Sequence, residues 1–200
     1  MDAVGMIGLA ASISLLSGWR LYLTVFAVGL AMRFGWVPEP ARLHGLDVLA
    51  NWWVIGIAGV GALAEFFADK VMWVDSAWDA VHTLVRPVGG ALLALAIVDP
   101  KDGAWQVAAL LLGGGAALLT HGAKAGTRAA VNVSPEPFSN IAVSSGEDVV
   151  TGGLLVLVLA HPAVAGVVAL VLIGLAVWAI LALRKLVRRL RPKPKPPASA

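Results

Sequence analysis

Cysteine is absent from this 200-residue sequence, so the chain forms no disulfide and binds no metal through thiolates. Charge is scarce as well: Asp, Glu, Lys and Arg make up 14% of the residues, whereas a soluble domain is about a quarter charged. Hydrophobic residues reach 59%. This composition leaves no room for a large soluble domain and predicts several bilayer crossings within a short chain.

Two further absences narrow the fold class. The apolar runs lack the two-residue alternation of strands, and open sheet edges cannot lie in lipid. The start at Met1 carries no positively charged segment, and no small-residue cleavage site follows the first apolar run, so we interpret that run as a membrane helix and not as a signal peptide. The sequence therefore predicts an all-α, polytopic membrane helical bundle.

About seven apolar segments are visible, and several are shorter than the roughly 20 residues that an upright crossing needs. The short ones predict tilted, kinked or re-entrant helices within a single integral membrane domain over 1–191. The residues at 37–50 predict a short interfacial helix on the outer side, with Trp52 and Trp53 in an aromatic belt. The segments are 3–17, 20–36, 51–68, 86–98, 104–120, 141–160 and 162–183.

The C-terminus predicts the orientation. Basic residues from Arg184 to Arg191 continue the last helix, and prolines then leave a disordered, basic, Pro-rich tail over 192–200. A basic cluster next to a membrane helix belongs in the cytoplasm, which indicates an inner (plasma) membrane protein with its N-terminus outside. With that topology, twelve of the fifteen Lys and Arg residues fall on the cytoplasmic side.

Charged residues concentrate in the stretch EFFADKVMWVDSAWDAVHTLVRP at 65–87, where their cost next to lipid suggests function. On a helix, Asp79 would share a face with Asp75 and with His82. Carboxylates and imidazole together could bind a divalent cation, and the candidate ligands are Glu65, Asp69, Asp75, Asp79 and His82. The alternative is an amphipathic interfacial helix whose acids face water or pair with Arg20, Arg86, Lys124 and Arg128.

A second motif, THGAKAGTRAAVNVSPEPFSN at 120–140, places Lys124 and Arg128 one helical turn apart. Two prolines around Glu136 predict a helix break, with Asn140 near the cap of the next helix. Basic residues beside such a break suit an anionic phosphate head group. The alternative is an ordinary cytoplasmic loop with solvated charges.

Two weaker patterns complete the analysis. Ser144 and Glu147 have the spacing of a capping box at a helix start. Gly18-x-Arg20 is similar to Gly122-x-Lys124, which suggests an internal repeat with insertions. Because no base or oxyanion site accompanies the serines, the sequence argues against hydrolysis by a serine nucleophile. Enzymatic activity stays open at this point, and a protein that is not an enzyme is favoured.

At the two long motifs the chain resembles a family of small bacterial integral membrane proteins catalogued as domain of unknown function 4126. The resemblance covers about residues 5–160. It implies a compact polytopic membrane protein, no established activity and no catalytic residues.

The leading hypothesis is a transporter or flippase with a charged site at the cytoplasmic ends of the helices. Its partners would be the lipid bilayer and an anionic lipid or small anionic solute, without cofactors or nucleic acid; a homo-oligomer is compatible with this. Alternatives are a divalent-cation-binding or cation-transporting protein, a membrane-embedded lipid-phosphate enzyme, and an assembly partner without a ligand. The candidate substrate or proton-relay residues are Arg20, Glu65, Asp69, Asp79, His82, Arg86, His121, Lys124, Arg128, Asn132, Glu136, Asn140 and Glu147.

Overall fold

A computed structural model describes residues 3–37, 44–98, 103–132, 137–161 and 164–190. These residues form seven α-helices and one 3-10 helix and contain no strand. Four of the α-helices are long and apolar enough to cross a membrane, and three shorter ones are also apolar. The predicted helical membrane bundle is therefore confirmed. The helices are α1 (Ala3–Trp19), α2 (Leu21–Arg33), a 3-10 helix (His44–Ala50), α3 (Trp52–Ala68), α4 (Met72–Ile97), α5 (Gly103–Val131), α6 (Pro137–Ala160) and α7 (Ala165–Leu190).

Helix α1 lies at the centre of the bundle and packs on α4, α5 and α7. Its polar side chains contact the backbones of its neighbours: the Ser14 hydroxyl donates to the Gly90 carbonyl at 2.9 Å, and the Ser12 hydroxyl donates to the Ala165 carbonyl at 2.5 Å. From α5, the Thr120 hydroxyl donates to the Leu15 carbonyl at 2.7 Å. Such bonds matter in lipid, where polar groups find no water to bind.

Helices approach closely at several glycines, because glycine has no side chain to keep the backbones apart. A Cβ on Gly90 of α4 would lie 2.5 Å from the Ala117 Cβ, and a Cβ on Gly18 of α1 would lie 2.1 Å from the Ala117 carbonyl oxygen. Such contacts between small residues drive helix packing in membranes. Gly126 also faces a neighbour, Leu183 of α7, whereas Gly122 has open space beside it and marks no contact.

The outer surface is apolar over the whole height of the bundle. Tryptophans are exposed at the end that carries the N-terminus of α3, as expected for an aromatic belt at the membrane interface. The opposite half also presents large apolar side chains outward, among them Phe67, Trp73, Val81, Leu84 and Phe138. This second set lies at the level of the charged residues described below.

Helices α4 and α5 are longer than the apolar segments predicted at 86–98 and 104–120. Helix α4 begins at Met72 and continues through Pro87, and α5 continues to Val131. The charged residues that were expected before or after a helix, such as Lys124, therefore lie within one. Hydropathy ends a segment at its first charges, but these charges are paired inside the bundle, so the helices extend past them.

Helix α6 begins at Pro137, a favoured residue for the first helical turn. The predicted cap at Asn140 and the predicted capping box at Ser144 and Glu147 are therefore wrong, because all three residues lie inside the helix and are buried. A real cap occurs at α3, where the Asn51 side chain accepts a hydrogen bond from the Trp53 backbone N–H at 2.9 Å.

The glycine contacts generate a matched pair of variants. Gly18→Ala should destabilise the protein by about 1–3 kcal/mol, because the new methyl group meets the backbone of Ala117. Gly115→Ala, on the same helix as Ala117 but with open space at its Cβ, should leave stability unchanged or raise it by up to about 1 kcal/mol. SDS-induced unfolding in mixed micelles measures both, and equal stabilities would contradict the packing described.

Candidate functional site

Eleven ionisable side chains from distant parts of the sequence meet in one half of the bundle, and we call them the charge network. They come from the turn between α1 and α2, the end of α3 and the turn after it, and helices α4, α5 and α6. Nine are buried; only Lys70 and Asp148 are partly exposed, with side-chain exposures of 20% and 22%. The members are the cations Arg20, Lys70, Arg86, Lys124 and Arg128 and the carboxylates Glu65, Asp69, Asp75, Asp79, Glu147 and Asp148.

Asp69, in the turn after α3, binds residues from three other parts of the chain. Its Oδ2 accepts from Lys124 Nζ of α5 at 2.9 Å and pairs with the guanidinium of Arg20 between α1 and α2. Its backbone carbonyl accepts from Arg128 and from the Asn140 side chain of α6. Burial would raise the pKa of the Asp69 carboxyl, but the nearby charges of Lys124 and Arg20 outweigh burial and hold that pKa below its usual range.

Arg86, fully buried on α4, binds two carboxylates and one imidazole. Its guanidinium donates to Glu65 Oε1 at 2.6 Å, to Asp79 Oδ1 at 3.1 Å and to His121 Nδ1 at 2.6 Å. Because His121 accepts at Nδ1, its proton lies on Nε2, which donates to the Thr83 hydroxyl at 3.0 Å. His121 is thus neutral in this arrangement. Arg86 carries one positive charge and pairs with two carboxylates, Glu65 and Asp79.

His82 lies beside the network and not in it. Its Nδ1 is 2.7 Å from the Trp78 carbonyl oxygen, which can only accept, so Nδ1 carries a proton. Its Nε2 is 3.2 Å from the hydroxyl of Tyr22, the only tyrosine of the sequence. The ring also stacks on Trp78 with centroids 4.4 Å apart. Asp79 and His82, which were predicted to share a helix face, have different partners: Asp79 binds Arg86, and His82 contacts Trp78 and Tyr22.

Arg128 connects α5 to α4 and α6. Its Nε lies 3.1 Å from Asp75 Oδ2, and its Nη1 donates to the Asn140 carbonyl at 3.1 Å. Asn132, one turn further along, donates to the same Asp75 oxygen at 3.1 Å. Every hydrogen-bonding nitrogen of this guanidinium has a partner.

The network reaches the surface at α6. Arg20 Nη2 pairs with Asp148 Oδ1 at 2.9 Å and lies 3.7 Å from Glu147 Oε2. Lys70 binds the Ser144 hydroxyl at 3.2 Å and Asp148 at 3.5 Å, and its ammonium group lies over the Phe66 ring. This pair of partly exposed residues, Lys70 and Asp148, forms the accessible edge of the network.

At Arg86 the network extends well into α4, a helix that is long and apolar enough to cross a membrane. At a rise of about 1.5 Å per residue, Arg86 is about 21 Å from the start of α4, while the hydrocarbon core is about 30 Å thick. Exposed apolar side chains such as Trp73 and Leu84 flank the same helix. Four basic residues pair with carboxylates inside the bundle: Arg20, Arg86, Lys124 and Arg128. They are therefore not the solvated loop charges to which the positive-inside rule applies. The orientation must be inferred from α7 alone.

Most of the predicted site residues lie in or against the network, and Glu136 lies outside the described residues. Sequence reasoning missed Lys70, Asp148 and Tyr22. The i,i+4 spacing of Ser144 and Asp148 could have indicated Asp148, because it places the two side chains on one face of α6. In the part of the chain that the structure describes, no three His, Asp or Glu side chains are grouped so as to hold a metal ion. The candidate metal ligands bind Arg and Lys instead, apart from His82.

An apolar groove of about 380 Å³ lies at the other end of the bundle, between α1, α4 and α5. Its lining includes Met6, Ala94 and Trp105 and none of the network residues. The groove therefore offers no water-filled route to the charges.

The family model for Domain of unknown function (DUF4126) matches residues 7–182. The chain belongs to the DUF4126 family. The match includes every member of the charge network, from Arg20 to Asp148, and it extends into α7 beyond the predicted limit near residue 160. No curated protein and no solved structure matches the chain. Membership thus agrees with the membrane fold and adds no activity to it.

The Arg128–Asp75 pair provides a test of the network. Arg128→Met should destabilise the protein by about 3–5 kcal/mol, because it leaves the Asp75 carboxylate buried without its cation. The double variant Arg128→Met with Asp75→Asn should recover about 1–3 kcal/mol relative to the sum of the single losses. SDS unfolding of the four proteins of this cycle measures the coupling.

Lys185→Met on the exposed face of α7 serves as the control and should change stability by less than about 0.5 kcal/mol. Strict additivity of the Arg128 and Asp75 variants would mean that the two side chains do not stabilise each other.

Proposed function

We propose that this protein is a membrane transporter for a phosphate-bearing anion and that the charge network is its substrate and coupling site. The observation that carries the proposal is the burial of nine charged side chains inside a bundle of apolar helices, with Arg86 well within α4. Buried ion pairs can often be exchanged for apolar side chains without loss of stability. Their use in such number inside lipid is better explained by charge movement than by folding.

An anion would enter at the accessible edge. Arg20 and Lys70 lie there and are held by Asp148, which is partly exposed. Arg20 is as fully buried as Arg86 and Arg128, but it pairs with the partly exposed Asp148, whereas Arg86 and Arg128 pair only with buried carboxylates. A phosphate group could take the place of the Asp148 carboxylate on Arg20, because guanidinium groups bind both anions in the same forked geometry.

This exchange would link the anion to protons. Arg20 already faces three carboxylates, so an added anion competes with them for one guanidinium. A carboxylate that loses its cation in an apolar environment becomes easier to protonate. An anion would therefore bind best when one competing carboxylate carries a proton, which couples anion movement to proton movement.

We infer the orientation from the end of α7. Arg184, Lys185, Arg188 and Arg189 are exposed there, and such a basic cluster favours the cytoplasmic face of the inner membrane. The accessible edge of the network would then face the inner leaflet, with the N-terminus outside. Anionic lipid head groups and free phosphate are both available on that side.

The experiment uses the purified protein in liposomes with two probes. Radiolabelled inorganic phosphate is trapped inside to detect solute exchange, and fluorescently labelled phosphatidylglycerol is followed by dithionite quenching to detect movement between leaflets. Movement of either probe above empty liposomes supports transport and identifies the source of the phosphate. Movement of neither probe contradicts the proposal.

Lys70→Gln tests the accessible edge. It should slow the moving probe about tenfold, since a hydrogen bond to a charged group contributes about 1.5–3 kcal/mol. The yield of folded protein should stay the same, because Lys70 is partly exposed. Lys185→Gln removes a charge from the exposed face of α7 and is the matched control. Equal rates in Lys70→Gln and the control would place the substrate elsewhere.

A further inference from the structure

One carboxylate of the network differs from the others in its surroundings. Glu147 on α6 is buried, with a side-chain exposure of 8%, and its Oε2 accepts no hydrogen bond from any described residue. Its ion pair with Arg20 is long, at 3.7 Å, whereas Asp69 and Asp148 bind the same guanidinium directly. Each of the other five carboxylates has a hydrogen bond to Arg, Lys or Asn.

The excess of carboxylates over cations in the charge network also indicates that one carboxylate is protonated. The network contains six carboxylates and five cations, so one carboxylate has no cation of its own. A proton settles on the acid whose ionised form is least stabilised. Protonation of Glu65 would weaken its 2.6 Å bond to Arg86, and protonation of Asp69 would weaken its bond to Lys124. Glu65 Oε2 and Asp69 Oδ1 also lack partners, but the other oxygen of each binds a cation, whereas a proton on Glu147 Oε2 breaks no hydrogen bond to any described residue.

The neighbours of Glu147 do not supply a better partner. The turn between α1 and α2 provides Arg20, α5 provides Lys124 and Arg128, and the turn after α3 provides Asp69. Each of these cations already binds another carboxylate. On α6 itself, Asp148 is adjacent, and the fully buried hydroxyl of Thr151 lies one turn further along the same face without a partner among the described residues. The basic residues of α7 from Arg184 onward are exposed.

We propose that Glu147 is the proton-binding residue of this protein: it is neutral in the arrangement described, and its ionised form competes with the substrate anion for Arg20. The protonated acid leaves Arg20 free to bind Asp148 or an anion in its place. Loss of the proton gives a third carboxylate that attracts Arg20 and displaces the anion. Anion and proton therefore bind together and leave together. This role in coupling rests on the proposed transport function, whereas the resting protonation state does not.

Infrared difference spectroscopy of the protein in lipid tests the protonation state without reference to transport. At neutral pH, solvated Asp and Glu side chains are ionised, so a carbonyl stretch of a protonated carboxyl group reports a buried acid. We expect one such band in the unaltered protein, with a small shift in heavy water. Glu147→Gln should remove the band, and Lys185→Gln at the exposed end of α7 should keep it. Absence of the band, or its loss in Glu65→Gln with retention in Glu147→Gln, would overturn the proposal.

Transport measurements then test the coupling. With one proton per singly charged anion, a gradient of one pH unit should accumulate the moving probe about tenfold at equilibrium. Glu147→Gln should abolish this accumulation, and Lys185→Gln should keep it. Accumulation that persists in Glu147→Gln would refute the role of Glu147 while transport stands. If neither probe moves but the infrared band depends on Glu147, the proton site stands and the transport function fails.

Discussion

The attachment of Asp69 to cations from two other parts of the chain is the interaction on which the arrangement of this half of the bundle depends. One carboxylate oxygen holds Lys124 of α5 and Arg20 from the turn between α1 and α2, and the backbone of the same residue binds Arg128 and Asn140. Because these groups are buried inside the bundle, loss of one partner leaves a buried polar group unsatisfied. The ion pairs of Asp69 therefore fix the position of the turn between α3 and α4, and this turn determines where α4 begins.

The two halves of the bundle are held together by different physics. In the half with the apolar groove, helices approach through glycine, alanine and buried leucines such as Leu9 and Leu16, and dispersion supplies the cohesion. In the half with the charge network, long side chains fill the interior, and three arginines are among the largest fully buried residues. The close backbone contacts in the half with the groove allow few other helix arrangements, because no side chain there can shift to make room. In the second half, the buried ion pairs hold the helices, and removal of one partner leaves a buried charge without its counter-ion.

The sequence contains enough information to predict the class of fold and most members of the site. Long apolar runs next to scarce charge identify membrane helices, and the grouping of Glu65, Asp69, Lys124 and Arg128 at corresponding helix ends follows from counting crossings. Helix ends could not be predicted, because hydropathy treats a charge as the limit of a helix, whereas Asp75 and Arg128 neutralise each other inside one. The contact between Tyr22 and His82 also escaped prediction, since it joins two helices through side chains that no local pattern relates.

Helix α6 is attached to the bundle differently from the other helices. It makes fewer close backbone approaches to its neighbours than the other α-helices do. Its inward face in the network half consists of Asn140, Ser144, Glu147 and Thr151, which are polar and buried. Attachment of this face therefore depends on hydrogen bonds and charge and less on close packing. Arg20, Lys70 and Arg128 all bind this helix, and Asn140 binds the Asp69 carbonyl, so the position of α6 depends on the charge of the network as well as on packing.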